Sequence, residues 1–258
     1  MRTCCAVAVL VANLVSSAHA QVQDAGSSEI RKQWVLGEHL ARDLDEQAGR
    51  VYDVPLLDYL QRIETRITGA IGANPVEIRV TRSSEQLATL LPNGVLYLSS
   101  GILARIESES ELAGLLAHEL AHSQHGSRAA SSGGIEILWP RCVLGSSLMP
   151  MMWTRQMHDE EVRATADGVR YMKLAHYDPL SGLEILSKLA YENPSWGKAI
   201  CSEDLLDLRA TLEPEAPPVS GYILDSSDFI RHHARIVSRL GHVAGRTPPP
   251  SLTPPRKP

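Results

Sequence analysis

Apolar residues recur at helical spacing over most of this chain and alternate like a strand only briefly. Residues 28–49 carry Trp34, Leu40 and Leu44 on one side of a predicted helix. Residues 53–71 place Leu56, Leu57, Leu60, Ile63 and Ile67 on one face of a second, which Asn74-Pro75 breaks. Val76-Glu77-Ile78-Arg79-Val80 alternates as a strand does. Leu91-Pro92-Asn93-Gly94 reads as a turn and Val95-Leu96-Tyr97-Leu98 as a short strand after it. Ser108 and Glu111 form a capping box ahead of Leu112, Leu115, Leu116 and Leu120, with Gly126 as a stop. Residues 126–134 are small and polar and predict a mobile loop, and 135–153 are apolar but broken by Pro140, Arg141, Gly145 and Pro150. A helical lid near a cleft and a plain core segment are both open for that stretch, and it is a poor bilayer span. Helices are predicted over 155–175, 179–191 and 228–240. The pattern is α+β and mostly helical, with a small sheet.

The ends differ in kind. Arg2, an apolar run and Ala18-His19-Ala20 have the layout of a signal peptide over 1–20, so an exported, periplasmic or secreted protein is expected. One domain is expected over 21–246, followed by a disordered proline-rich tail over 247–258. The formal charge is −5, and −6 once Arg2 is removed, with no basic stripe, which argues against nucleic acid. A membrane-surface contact through 135–153 stays open. Past residue 20 only Cys142 and Cys201 remain, which permits one disulfide or two free thiols.

The chemistry concentrates in His118-Glu119-Leu120-Ala121-His122. Residues four apart on a helix share a face, so the two imidazoles can converge on one metal ion. Zinc suits neutral imidazole and keeps an open position for water in catalytic sites. Glu119 is then placed to take that water's proton and pass it to a leaving amine. The bland alternative, a surface helix with two histidines, fits poorly with so apolar a helix. His125 lies seven residues from His118, roughly 10.5 Å along the axis, too far to share the ion. A third histidine in the metzincin spacing is ruled out, because that pattern needs glycine at His125 and histidine at Arg128.

Several landmarks in order resemble the HtpX-like and BepA-like zinc metalloproteases, a group that includes the mitochondrial Oma-type and the CAAX prenyl proteases. They are the helix over 53–71, the run from Leu91 to Leu103, the stretch from Glu107 to His122, Ala166-Asp167-Gly168 and His176-Tyr177-Asp178-Pro179. The resemblance implies a zincin-like fold, zinc as cofactor, and an endopeptidase acting on misfolded or unassembled envelope proteins. It implies that the edge strand beside the metal helix, taken as Val95, Leu96, Tyr97 and Leu98, pairs with extended polypeptide. It also implies a third ligand from a Glu-x-x-x-Asp pattern, whose aspartate orients a ligand histidine. Anchoring that aspartate on Asp167 puts Arg163 in the ligand slot, and arginine cannot ligate zinc. Glu160, one turn earlier, is then the substitute ligand, Glu161 would require a larger rotation, and a site without a third ligand is the remaining option. That last option makes the chain a peptide-binding module with weakened chemistry. The group's His-Pro pair is missing near the end. His232 and His233 stand in that region and are expected to be solvated, with Tyr171 and His233 as guesses for an oxyanion stabiliser.

Overall fold

The computed structural model describes residue 28, residues 30–124, 151–192, 202–212 and 221–244. The chain order is α1 (30–48), α2 (Val54–Ile71), β1 (Glu77–Thr81), β2 (Ala88–Leu90), β3 (Val95–Ser99), α3 (Ser100–Leu103) and α4 (Glu109–Gln124). Then follow α5 (Met151–Leu174), α6 (Pro179–Glu192), α7 (Ser202–Leu212) and α8 (Ser227–Ala244). The fold is α+β, mostly helical, with one small mixed sheet, as the periodicities predict. The proposed signal, the loop and most of the apolar segment over 126–150, His125, both late cysteines and the proline-rich tail lie outside the described residues. Among the described residues no helix is long and apolar enough to cross a membrane.

The sheet order is β1-β3-β2, with β1 parallel and β2 antiparallel to β3. This corrects one expectation: Val95, Leu96, Tyr97 and Leu98 form the central strand, with both edges already paired. All five β3 residues are buried. Val95 and Tyr97 pack with Leu40, Ala41 and Leu44 of α1, while Leu96 and Leu98 join the main core. A strand covered on both faces needs an unbroken apolar run, whereas a half-solvated edge alternates. Among the described residues, the free edge next to α4 belongs to β2, a three-residue strand with no period of its own.

Helix α4 is the spine of the molecule. It is buried from Glu109 to Ala121 and packs on α2, α5, α6 and β2. The predicted capping box forms in part: Glu111 N donates to Ser108 Oγ at 3.0 Å, and the Glu111 carboxylate accepts Glu107 N. Glu109 accepts hydroxyl protons from Tyr59 at 3.0 Å, Tyr177 at 3.4 Å and Ser226, and its own N–H donates to Asp225 Oδ1 at 2.9 Å. These bonds anchor the first turn to α2 and to the segment before α8, fixing the start of the helix whose third and fourth turns carry the histidines.

Close backbone contacts set the remaining geometry. Gly114 and Gly182 let α4 and α6 touch, since a Cβ on Gly114 would fall 2.4 Å from Gly182 Cα. At the β3–α3 junction Ser99 Oγ accepts Leu87 N and Ile102 N, both at 3.0 Å, and Gly101 N donates to Ser83 O at 2.9 Å. A Cβ on Gly101 would lie 2.2 Å from Ser84 O and 2.4 Å from Glu85 O, both rigid backbone atoms. Gly101→Ala should therefore lower the unfolding free energy by about 3 kcal/mol. The check is the chemical-denaturation midpoint, and a shift worth less than about 1 kcal/mol contradicts the packing described.

Candidate metal centre

His118 and His122 lie one turn apart on α4, and their rings meet edge to face at 4.7 Å between centroids. Their Nε2 atoms are 3.2 Å apart. From α5, Glu161 Oε2 approaches His118 Nε2 at 3.1 Å and His122 Nε2 at 3.5 Å. Zinc bonds of about 2.0–2.2 Å in tetrahedral array place neighbouring ligand atoms roughly 3.3 Å apart. The three observed separations are edges of such a tetrahedron. The donor set of two imidazoles and one carboxylate leaves a fourth corner open, the composition of a catalytic zinc site. The residues therefore fit the ion that the His118-to-His122 stretch implies.

The third carboxylate corrects the expectation from sequence. Glu161 joins the imidazoles; Glu160 does not belong to the ligand cluster. The reason lies in how α5 meets α4. A Cβ on Gly168 would fall 3.1 Å from His118 Cα and N, so α5 makes its close approach there. Residues seven and three before Gly168 share its face. They are Glu161 and Thr165. Thr165 Oγ1 lies 3.3 Å from His118 Nδ1, the position from which an acceptor fixes the tautomer that leaves Nε2 free for a metal. Asp167, expected in that role, instead pairs with Arg170 Nη2 at 2.8 Å. Glu161 and Thr165 thus occupy a Glu-x-x-x-Asp spacing with threonine in the aspartate's place. The anchor on Ala166-Asp167 sits two residues too late, and Arg163 is exposed on the far side of α5.

Glu119 lies on the neighbouring face, toward the sheet. Its Oε2 accepts the Leu90 N–H at 3.3 Å. That amide points away from β3. Leu91 N donates to Val95 O at 2.9 Å, and Ser99 N donates to Leu87 O at 2.8 Å, so alternate residues of β2 serve the ladder. With Ala88 opposite Leu98 and Leu90 opposite Leu96, the main-chain groups of Ala88 and Leu90 face outward, onto the side where Glu119 stands.

Electrostatics follow from crowding these groups together. Burial pushes the Glu119 carboxyl up to about 7; the Glu161 charge adds to this, and His122 and the Leu90 amide oppose it. Burial lowers the pKa of His118, partly offset by its bond with Glu161. For His122 burial also acts downward, but hydrogen bonding and charge from Glu161 win and push it up to about 9. Burial would raise Glu161, yet contacts with both imidazoles hold it well below the usual carboxylate range. A metal ligand must give up its proton. Zinc binding at pH 7 should therefore release about one proton from His122, together with the protonated share of Glu119. Calorimetry in buffers of different ionisation enthalpy measures this, and release near zero contradicts it.

The other sequence candidates lie elsewhere. His232 is buried rather than solvated, with its ring stacked on Tyr59 at 4.9 Å. His233 stacks on Phe229 at 5.3 Å. Both line a small apolar cavity with Leu56, Leu103 and Ile236, apart from the imidazole pair. Tyr171 is buried with the Arg170 guanidinium over its ring. Sequence reasoning missed Thr165, Gly168 and the Leu90 amide. The stripe Glu161, Thr165, Gly168 at helical spacing was the available signal for the first two; a main-chain donor leaves none.

A mostly helical fold with a small mixed sheet carries a two-histidine, one-glutamate cluster on packed helices, an arrangement that suits a metalloprotease. Residues 59–247 match the family model for peptidase family M48, and the chain belongs to that family. No curated protein matches the chain.

Proposed function

We propose that this metalloprotease is an exported zinc endopeptidase that cleaves extended segments of misfolded or unassembled envelope proteins. The observation that carries the reading is the position of Glu119, between the candidate ligand cluster and the outward amides of β2. His118, His122 and Glu161 would hold the ion. Zinc held there would supply an acidified water, with a pKa lowered from 15.7 to roughly 7, and would polarise a substrate carbonyl. Glu119 takes a proton from the attacking water and returns it to the leaving amine. Thr165 holds His118 in the tautomer that presents Nε2. Extended polypeptide pairs with β2, whose Ala88 and Leu90 main-chain groups face away from β3.

Export rests on the signal-like layout of residues 1–20. The peptide-holding alternative rested on Arg163 in a ligand slot, and Arg163 faces solvent while Glu161 faces the imidazoles. A pure holder also has no use for a buried carboxylate beside the cluster. The test is zinc content near one per chain in purified protein together with cleavage of oxidised insulin B chain. Metal-free, inert protein that still binds the B chain overturns the reading in favour of the holder. Amino-terminal sequencing of protein recovered outside the cytoplasm tests export, and an intact Met1 there contradicts cleavage.

A further inference from the structure

The Leu90 amide has two claims on it. Pairing of a chain on the open edge of β2 proceeds through the N–H and C=O of Ala88 and Leu90, the residues whose main-chain groups face outward. At Leu90 that N–H is already engaged, donating to Glu119 Oε2. One amide proton has one good acceptor at a time. The bond is 3.3 Å, longer than the 2.9–3.0 Å typical of N–H···O bonds, so a strand carbonyl at normal distance can compete for the proton. We propose that Leu90 N–H is a shared donor that holds Glu119 in the free protein and passes to a substrate carbonyl when an extended polypeptide pairs with β2. The handover leaves Glu119 Oε2 without its main-chain donor, and so open to a proton of the attacking water. Strand pairing and readiness of the base become one event, and Leu90 acts as a positioning residue through its backbone. This rests on the reading of the site as a peptidase whose substrate pairs with β2.

Amide exchange followed by NMR on the zinc-loaded protein tests it independently of turnover. In wild type the Leu90 amide should exchange slowly; in Glu119→Ala it should exchange at least about tenfold faster, with Glu119→Gln between them. Adding oxidised insulin B chain to Glu119→Ala should restore slow exchange at Leu90. The Thr89 amide, which faces Tyr97 within the ladder, should stay slow throughout and reports that the strand is intact. A Leu90 rate that Glu119→Ala leaves unchanged overturns the proposal. So does a B chain that leaves the Leu90 rate of that variant unchanged.

A kinetic arm uses Leu90→Pro. Proline is tolerated on an edge strand where its missing N–H faces outward. The proposal expects KM for the B chain to rise by about tenfold with kcat within about twofold, because a ground-state and transition-state contact is lost equally. A fall in kcat at unchanged KM overturns it, since the amide then serves the base during reaction. Should wild-type protein hold zinc yet cleave nothing, the peptidase reading fails, while the exchange arm still decides the fate of the shared donor.

Discussion

Glu119→Gln should leave zinc content unchanged and reduce hydrolysis of oxidised insulin B chain by about 10²–10⁴-fold. The substitution keeps the size and one acceptor oxygen of the side chain, so the amide of Leu90 retains a partner. None of the three candidate ligand atoms belongs to residue 119. What disappears is the capacity to take up a proton. The effect should fall on kcat with KM little changed, because the lost interaction exists only as the reaction proceeds. Metal analysis of the two purified proteins and a progress curve for each give the comparison. A variant that keeps more than about a tenth of wild-type kcat would show that Glu119 is not the base. A variant that loses its zinc would show instead that Glu119 supports the ion.

The parts of this molecule that could be read from its sequence are those governed by local periodicity. Helix α2 follows from Leu56, Leu60, Ile63 and Ile67 at helical spacing, all of them buried. The start of α4 follows from Ser108 and Glu111, which do cap it. His118 and His122 converge because four-residue spacing on a helix leaves little choice. The parts that were misread depend on partners distant in the chain. Val95 to Leu98 reads as a strand, but its place in the middle of the sheet is set by β2 and by the cover of α1. The apolar run with no polar alternation was the clue to two covered faces. Strand β2 has three residues and exists because β3 offers it a ladder. His232 is polar on a strongly amphipathic helix and reads as solvated, yet the Tyr59 ring supplies a stacking partner from a helix more than 150 residues earlier. The carboxylate of the candidate cluster lies at another position than expected for a different reason. An Ala-Asp pair at 166–167 resembles a familiar landmark, but rotation about the axis of α5 is fixed by where a glycine permits contact. Gly168 against His118 sets that rotation.

That rotation makes Glu161 the residue whose loss should matter most for metal. Above pH 9, where no proton on His122 competes, Glu161→Gln should weaken zinc binding by at least about 100-fold, the upper range seen when merely an outer partner of a ligand is removed. Glu160→Gln should change it by less than about threefold, since charge alone links that residue to the cluster. Arg163→Glu should act as weakly, its side chain being exposed on the opposite side of α5. Competition against a chelator of known affinity measures all three. Equal losses for Glu160→Gln and Glu161→Gln would place the carboxylate wrongly. The pH dependence sharpens the test. Glu161 is also what pushes His122 up to about 9 in the metal-free protein, so in wild type zinc competes with a proton on His122 at every pH below that. Without Glu161 the imidazole loses the partner that held its proton, and burial then pulls its pKa down. Fewer protons oppose the metal in the variant. The loss of affinity should therefore be largest above pH 9 and should narrow as pH falls toward 7, and zinc binding by the variant should release less than the proton that wild type gives up.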